Sequence, residues 1–276
     1  MFPEALRTEV ASRAFGALGG LCEIYAIGQS ESALDAAVGW TLEMHHRFTR
    51  FEPESELSHF NAWPERWVTI SADLDEILRV GLDAHERSGG LVHIGVLPAL
   101  RAAGYTRTFN EGPTESSLDA ARPLRPLPEL LREEAGWWKL TLGAAIDLGG
   151  LAKGWLADRC VERLGDNALA NFAGDLYARG PGPGGEGWPV GFGDRTLLLR
   201  DMGAATSGVV KRSWGEGLHH LIDPRTGLPS TTDLEEISVL ATSATEAEIL
   251  AKTALLMGRD AGIAWLDGKA LGWATP

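Results

Sequence analysis

Apolar residues recur at helical spacing in some parts of the chain and form short runs in others. Residues 21–27 are a short apolar run that predicts a strand. From Ser30 onward the apolar positions fall near one face of a helix. A second helix is predicted to begin after Ser71, a suitable N-cap, and to end at residues 88–90. Residues 51–61 are polar and interrupted by a proline, which predicts an ordered loop.

The second half of the chain mixes the two patterns without regular alternation. Residues 111–136 are rich in Pro, Glu and Arg and predict a surface excursion with one helical turn at 128–134. Strands are predicted at 138–142, 144–148, 171–177, 188–192 and 196–199, and helices at 152–164 and 246–257. Because these elements do not follow a repeated βαβ order, the sequence predicts an α+β fold.

Length and charge narrow the class of protein. The chain is long enough for one large domain covering residues 1–276, or for two packed lobes. It has 25 basic and 38 acidic residues, a formal net charge of −13. A nucleic-acid-binding protein needs a basic surface to neutralise phosphates, so no nucleic-acid partner is expected. A phosphorylated small molecule is still compatible with this charge where local donors offset the wider field.

The cysteines and the N-terminal residues bear on the compartment. Cys22 and Cys160 are the two cysteines and no CxxC spacing occurs, so a disulfide scaffold and a four-thiolate metal site are excluded. Two buried free thiols are expected. No signal peptide or lipobox is seen, and no stretch is long enough to span a membrane. We therefore expect a cytoplasmic protein without a membrane span.

The segment IDLGGLAKGWLAD, residues 146–158, predicts a strand that leads through two glycines into a helix with Lys153 in its first turn. Glycines let a ligand approach the backbone, and free N–H groups at a helix start favour phosphate. The alternative is a tight strand-to-helix turn in which Asp147 serves as a cap. The spacing matches neither the dinucleotide fingerprint nor the P-loop, so both interpretations stay open.

The segment 205–229 contains a second group of polar residues. Ser207 supplies a hydroxyl, and Arg212 could neutralise phosphate. His219 and His220 precede an Asp-Pro-x-Thr-Gly turn, which needs no function because Asp and Thr satisfy turn backbone unaided. A histidine beside such a turn is also often a hydrogen-bonding core residue. The density of polar residues flanked by glycine nevertheless favours a site.

Near the C-terminus, Thr245 and Glu248 have the spacing of a capping box. Glu248 and Lys252 stand four residues apart, which is the spacing of an exposed ion pair on a helix. These two interpretations account for the residues fully, so the pattern alone does not indicate a metal site.

Five segments, in order along nearly the whole chain, resemble motifs of the ApbE family, the FAD:protein FMN transferases. They are RFTRFEPESELSHFN at 47–61, IDLGGLAKGWLAD at 146–158, NFAGDLYARG at 171–180, ATSG with HHLIDPRTGLP at 205–208 and 219–229, and TEAEILAKTALLMG at 245–258. The resemblance implies an α+β fold of mixed helices and antiparallel-rich sheets, related to the T-fold. If the chain has two lobes, it implies that the flavin cleft lies between them.

The resemblance also implies an activity, the transfer of FMN from FAD onto a Ser or Thr of an acceptor flavoprotein with release of AMP. It implies that His220 is the general base and that Asp223 and Thr226 shape the loop presenting it. FAD is the expected substrate. The positions expected to contact it are Leu18, Phe51, Val92, His93, Asp147, Lys153, Ser207 and Arg212.

The expected metal site departs from the family pattern. The family binds magnesium through a carboxylate, a threonine and a backbone carbonyl, and the resemblance places these at Glu248, Lys252 and Gly150. Glutamate supplies a hard oxygen ligand, but an ammonium group cannot be a metal ligand. Mg²⁺ is therefore in doubt, and we hypothesise that Lys252 takes over part of the cation's work at the pyrophosphate. His93 and Gly95 also stand where the family usually has Asp and Thr.

Two alternatives to an active transferase stay open. A degenerate relative would bind FAD without transferring FMN, and Lys252 and His93 are its main support. An FAD pyrophosphatase would use water in place of the protein hydroxyl and would give free FMN and AMP. A nicotinamide oxidoreductase is disfavoured because no GxGxxG motif follows a predicted strand.

Overall fold

The computed structural model describes residues 9–192 and 195–276. The helices are α1 (Glu31–Phe48), α2 (Glu56–Ala62), α3 (Ala72–Arg87), α4 (Leu97–Ala102), α5 (Leu127–Leu130), α6 (Ala152–Leu164), α7 (Ala244–Met257) and α8 (Arg259–Leu266). The strands are β1 (Val10–Ala17), β2 (Gly20–Ile27), β3 (Leu131–Glu134), β4 (Trp137–Leu140), β5 (Ala168–Phe172), β6 (Asp175–Arg179), β7 (Trp188–Phe192), β8 (Arg195–Leu199), β9 (Met202–Gly208), β10 (Ile222–Asp223), β11 (Leu228–Pro229), β12 (Glu236–Ala241) and β13 (Gly272–Ala274).

Seven of the described strands form one antiparallel sheet in the order β1-β2-β5-β6-β9-β12-β13. The β1–β2 hairpin turns through Leu18 (φ +55°) and Gly19 (φ +77°), the left-handed backbone that a two-residue hairpin turn favours. The strand pairs β3-β4, β7-β8 and β10-β11 form small antiparallel sheets beside it. Helices and antiparallel sheets are thus mixed along the chain, and the α+β prediction is confirmed.

Serine side chains cap two helices at the positions that the sequence predicted. Ser30 accepts from Ala33 N at 3.2 Å at the start of α1, and Ser71 accepts from Leu74 N at 3.2 Å at the start of α3. Each cap satisfies one of the N–H groups that a helix leaves unpaired in its first turn. The helices predicted from residue 30, after residue 71 and at 152–164 are therefore confirmed.

The main core lies between the large sheet and helices α1, α3 and α6. Trp138, Trp155 and Phe172 are among its largest fully buried side chains. Helices α6 and α7 approach each other closely. A Cβ atom added to Gly154 would lie only 2.6 Å from the carbonyl oxygen of Ala244. The absence of a side chain at Gly154 therefore lets the first turns of α6 and α7 meet.

Residues 51–61 are not a loop throughout, which corrects the prediction. Ser55 accepts from Ser58 N at 3.0 Å and caps α2, and this short helix buries Leu57 and Phe60. Because the residues around these two apolar side chains are polar, the amphipathic pattern of the helix was not recognised in the sequence. The loop prediction was therefore wrong for the residues of α2.

The strand predicted at 144–148 does not form. The Asn61 side chain accepts from Ile146 N at 2.7 Å and donates to Ile146 O at 2.9 Å, and Asp147 N donates to Ile94 O at 2.8 Å. These bonds satisfy backbone groups that a neighbouring strand would otherwise pair with. The apolar residues of this segment are buried in a loop that another part of the chain supports.

The single strand predicted at 171–177 is two strands, β5 and β6. They are joined by a tight turn at Ala173 (φ +55°) and Gly174 (φ +102°), where Gly174 N donates to Asn171 Oδ1 at 3.0 Å. The predicted helical turn at 128–134 is also shorter than expected, because α5 ends at Leu130 and β3 follows it. Strands β1 and β9 to β13 and helices α4 and α8 were also not predicted.

Both cysteines are free and buried, as predicted. Burial raises the pKa of Cys22 to about 11 and the pKa of Cys160 to about 12. Among the described helices, none combines the length and the apolar character needed to cross a membrane. The division into one domain of residues 1–276 or two packed lobes stays a prediction.

Candidate active site

Asp147 begins the turn that leads into α6, and both of its carboxylate oxygens are bonded. Oδ1 accepts from Gly149 N at 2.9 Å, and Oδ2 accepts from Arg50 Nε at 2.6 Å. The side chain of Asp147 is 15% exposed, and that of Arg50 is 3% exposed. Asp147 is therefore a turn residue and also half of a buried ion pair. The sequence analysis missed Arg50, because 97 positions separate the two residues and no local pattern links them.

Arg50 also lies between two aromatic rings. Its guanidinium carbon is 4.2 Å from the ring centroid of Phe51 and 4.6 Å from that of Tyr105. The centroids of Tyr105 and Trp214 are 5.3 Å apart. Phe51, a predicted FAD contact, therefore belongs to an aromatic group with two residues that the sequence analysis did not find. An aromatic surface of this kind is suited to packing against a planar ligand ring.

Lys153, in the first turn of α6, forms an ion pair with Asp175 at the start of β6. Asp175 is 1% exposed, and its Oδ1 accepts from Thr206 N at 3.3 Å. Burial acts to lower the pKa of Lys153, but the carboxylates of Asp175 and Glu248 outweigh it and raise that pKa above its ordinary value. Lys153 is therefore charged. Asp175 was missed, although it stands in the NFAGDLYARG segment that carried the resemblance.

Glu248 is buried, which corrects the capping-box and surface ion-pair interpretations. The N-cap of α7 is Ser243, whose hydroxyl accepts a backbone N–H at 3.1 Å, while Thr245 Oγ1 donates to Asp158 at 2.6 Å. Glu248 is 3% exposed and its Oε2 accepts from Gly154 N at 3.0 Å. The close packing of α7 on α6 turns this face of α7 inward, which the local spacing of residues does not reveal.

Lys252 extends from α7 to the glycine turn that precedes α6. Its Nζ donates to the backbone carbonyl of Gly150 and lies 4.0 Å from Glu248 Oε1. Burial lowers the pKa of Lys252, and the charge of Glu248 opposes that shift. The structure therefore brings together all three positions that the resemblance assigned to the metal.

These three residues do not fit a divalent metal ion. The ammonium group of Lys252 cannot coordinate a metal, and it already uses the Gly150 carbonyl that a metal would need. Within residues 9–192 and 195–276, no group of three or more His, Cys, Asp or Glu side chains is arranged to hold a metal ion.

The two adjacent histidines differ in how their ring nitrogens are used. His219 Nε2 donates to Ser230 O at 2.9 Å, and its Nδ1 accepts from Leu221 N at 3.2 Å. His220 Nδ1 donates to Arg212 O at 3.3 Å, and no described residue forms a hydrogen bond with its Nε2. His219 is thus fully engaged by the backbone, whereas His220 has one nitrogen for a ligand.

The surroundings of His220 keep its imidazole neutral. Burial and the positive charges of Arg212 and Lys252 lower the pKa of His220 to about 3. Since the hydrogen bond to a carbonyl places the proton on Nδ1, the lone pair is on Nε2. A neutral imidazole with a free Nε2 can accept a proton from a bound hydroxyl.

Asp223 is the last residue of β10, and Thr226 lies in the turn that joins β10 to β11. Asp223 O accepts from Thr226 N at 3.1 Å, and the Asp223 carboxylate pairs with Arg225 at 2.8 Å. Arg225 also donates to Leu256 O at 2.6 Å, which ties the turn to α7. Strand β10 begins two residues after His220, so this turn is placed to hold the backbone on one side of the histidine.

Two other predicted contacts lie on or near the large sheet. Leu18, in the β1–β2 turn, is brought to the histidine loop because its carbonyl accepts from Arg212 Nη2 at 3.2 Å. Ser207 is buried in β9 at the position paired with Ile237 of β12.

Val92 and His93 are buried in the segment that joins α3 to α4. His93 Nε2 donates to Arg125 O at 3.0 Å, and its Nδ1 accepts from Gly95 N at 3.0 Å. Burial lowers the pKa of His93 to about 4, and its side chain lines a cavity of about 370 Å³ with His85. In the described part of the chain, no hydrogen bond joins either side chain to His220, and their contact with FAD stays a prediction.

Basic residues are concentrated at this site although the chain as a whole is acidic. Seven side chains act on one another or on shared neighbours, and they are Arg50, Lys153, Arg212, Lys252, Asp147, Asp175 and Glu248. Burial raises the pKa of Glu248 and lowers the pKa of Lys252. Four of the seven side chains are basic, in a chain whose formal net charge is −13. A group of basic side chains of this kind suits a phosphorylated ligand.

Residues 18–273 match the sequence model of a family described as the ApbE family. The chain belongs to the ApbE family. The matched range includes every candidate residue placed above, from Leu18 to Lys252.

Curated relatives within the ApbE family carry the name FAD:protein FMN transferase. The protein from Treponema pallidum is 34% identical over 148 residues, which is 45% of this chain and 41% of that relative. The protein from Haemophilus influenzae is 27% identical over 255 residues, which is 79% of this chain and 70% of that relative. The match to the Treponema pallidum protein, which has the higher identity of the two, thus covers less than half of that relative's length.

Solved structures of ApbE proteins share the fold. The Pseudomonas stutzeri flavinyl transferase ApbE in its apo form matches with a TM-score of 0.84 at 21% identity, over 98% of this chain and 96% of that one. The ApbE protein of Thermotoga maritima matches with a TM-score of 0.81 at 22% identity, over 95% and 93% of the two chains. These matches confirm the predicted ApbE-like architecture of mixed helices and antiparallel sheets.

Proposed function

We propose that this chain transfers FMN from FAD onto a serine or threonine of an acceptor flavoprotein and releases AMP. The observation that carries the proposal is the neutral imidazole of His220, with a free Nε2, beside the cations Arg212 and Lys252. The name shared by the curated relatives, FAD:protein FMN transferase, supports FAD as the donor and a protein as the acceptor.

The reaction forms one bond at phosphorus and breaks another. The acceptor hydroxyl oxygen bonds to the flavin-side phosphorus, and the bond from that phosphorus to the oxygen bridging to AMP breaks. The hydroxyl proton passes to His220 Nε2, and AMP leaves as a phosphate monoester. Phosphoryl transfer depends mainly on positioning and on neutralising charge at the phosphates. We assign that neutralisation to Arg212 and to Lys153, which Asp175 holds in place.

The proposed binding mode places two parts of FAD on different surfaces. The pyrophosphate lies against the cationic group, and an FAD ring packs on the aromatic group of Phe51, Tyr105 and Trp214. Asp147 acts through Arg50 and the glycine turn, and Asp223 and Thr226 hold the loop that presents His220. Contacts of FAD with Leu18, Val92, His93 and Ser207 remain predictions, as does a cytoplasmic location.

The test is a transfer assay with FAD and an acceptor domain of a flavoprotein. The acceptor is separated on a denaturing gel and its flavin fluorescence is measured over time. We expect a fluorescent acceptor band with the wild-type chain and a rate lower by about 10²–10⁴-fold with His220→Asn, the usual loss for a general base. His59→Asn is the matched control, because His59 is an exposed histidine on α2 and its loss should leave the rate unchanged.

The alternatives give different products in the same assay. A dark acceptor band with release of free FMN and AMP would assign FAD hydrolysis to this site instead. A dark band with bound, intact FAD would make the chain a flavin-binding protein. Either result would contradict the proposed transfer.

A further inference from the structure

We propose that the Lys252 ammonium is a built-in cation of this active site, which replaces a divalent metal and makes FMN transfer independent of metal ions. The inference rests on the proposed function for its catalytic part. Its structural part, the exclusion of a metal by Lys252, stands on the geometry of Gly150, Glu248 and Lys252 alone.

The first argument is the position of the ammonium group. Lys252 Nζ donates to the Gly150 carbonyl and lies 4.0 Å from Glu248 Oε1, so it lies between the two oxygens that a cation at this place would contact. A Cβ atom added to Gly150 would overlap Lys252 Nζ, which shows how closely the side chain is set against the turn. A magnesium ion needs oxygen ligands at about 2.0–2.1 Å and cannot share this position with a positive charge.

The second argument is that the ammonium is available to a ligand. In the described ranges, the Gly150 carbonyl is the one recorded hydrogen-bond acceptor of Lys252 Nζ, so two of its three N–H groups are unused. The Lys252 side chain is 12% exposed, so it is not completely enclosed. The other lysine of the site, Lys153, forms an ion pair with Asp175, so part of its charge is already balanced within the protein.

The third argument is electrostatic. The carboxylate of Glu248 is buried and needs a compensating charge, which Lys252 supplies without a bound ion. The pyrophosphate of FAD would add negative charge beside the ammonium and stabilise its protonated form. Lys252 would then supply one tethered positive charge at the pyrophosphate.

The experiment compares three chains: the wild type, Lys252→Thr, which offers a neutral hydroxyl oxygen as a ligand, and Lys252→Met, which keeps the length of the side chain without its charge. Lys269→Thr is the control, because Lys269 is an exposed lysine near the end of the chain. Binding of Mn²⁺ to the FAD-free protein is measured by electron paramagnetic resonance. FMN transfer is measured in EDTA and in Mg²⁺, and folding is checked by the melting temperature.

We expect the wild type and Lys269→Thr to bind no Mn²⁺ and to transfer FMN equally well in EDTA and in Mg²⁺. Lys252→Thr should bind one Mn²⁺ per chain and require Mg²⁺ for transfer. Lys252→Met should bind no metal and lose about 10²–10³-fold in rate under both conditions, the usual cost of removing one group that stabilises transition-state charge.

Two results would overturn the proposal. One is a wild-type chain that binds one Mn²⁺ per molecule, or whose transfer EDTA abolishes and Mg²⁺ restores. The other is a folded Lys252→Met variant that keeps the wild-type rate in EDTA. If the wild type transfers no FMN at all, the proposed function fails, and the Mn²⁺ measurements on the wild type and Lys252→Thr still decide whether Lys252 excludes the metal.

Discussion

The role of a single side chain depends on which of its polar atoms are already bonded. His219 and His220 stand side by side, yet backbone groups engage both nitrogens of the first and one nitrogen of the second. The sequence located the pair, and the resemblance selected His220. What distinguishes His220 is its hydrogen bond to the Arg212 carbonyl, eight residues earlier in the chain, and the burial of its ring. Neither feature follows from the local sequence.

The first prediction concerns the protonation of His220. Its pKa is lowered to about 3 by burial and by neighbouring cations, so the ring stays neutral when the pH falls through the ordinary histidine value near 6.5. We expect the His220 ring signals in an NMR titration of the FAD-free protein to be constant from about pH 8 to about pH 5. Loss of those signals in His220→Asn assigns them, and a midpoint near 6.5 would contradict the account.

At the scale of elements, the predictions held where local rules are sufficient. Helices that begin at a serine and carry a regular apolar face were predicted close to their observed bounds, as for α1 and α3. The prediction of a strand at 144–148 was wrong. The Asn61 side chain, from another part of the chain, bonds the backbone N–H and C=O of Ile146 that a neighbouring strand would otherwise pair with. The turn in 171–177 was missed because Ala173 adopts a positive φ that its residue type does not signal.

The second prediction concerns the crossing of α6 and α7. Gly154→Ala would place a methyl group against the Ala244 carbonyl, and this overpacking should lower the free energy of unfolding by about 1–3 kcal/mol. Gly39→Ala is the matched control, because Gly39 is exposed within α1 and a Cβ there meets no atom within 4 Å. It should raise the free energy of unfolding by about 0.5–1 kcal/mol.

Urea unfolding of both variants measures these changes. Equal shifts in the same direction would contradict the packing argument. A Gly154→Ala variant as stable as the wild type would show that α6 and α7 do not meet as closely as described.

At the scale of the whole molecule, the site is assembled from segments that are far apart in the chain. The sequence placed most of its residues through the order of the family motifs. It did not predict the ion pairs of Arg50 with Asp147 and of Lys153 with Asp175, because partners in such pairs are set by the packing of different elements. The net charge of −13 likewise does not reveal the group of basic residues at the site.

The third prediction concerns the acid stability of the fold. Burial lowers the pKa of His85, His93, His219 and His220, so the unfolded chain binds protons on these residues more readily than the folded protein. Their contribution to stability is complete above about pH 6.5 and is lost as the pH falls toward their folded-state values. We therefore expect the free energy of unfolding to decrease from pH 7 to pH 5, by roughly 2 kcal/mol for His93 alone.

Urea unfolding at the two pH values tests this with a pair of variants. His93→Gln should reduce the difference in unfolding free energy between pH 7 and pH 5. His59→Gln, at an exposed position, should leave that difference unchanged. An equal difference in the wild type and His93→Gln would show that His93 is not the source of the acid sensitivity.

The central claim is that FMN leaves FAD for a protein hydroxyl at the site of His220. The most direct measurement is the intact mass of an acceptor domain after incubation with this chain and FAD, together with the amount of AMP released. The account predicts an acceptor heavier by one FMN less one water and one AMP for each modified acceptor. With His220→Asn, both products should form about 10²–10⁴-fold more slowly. An unmodified acceptor, or modification that His220→Asn leaves at full rate, would contradict it.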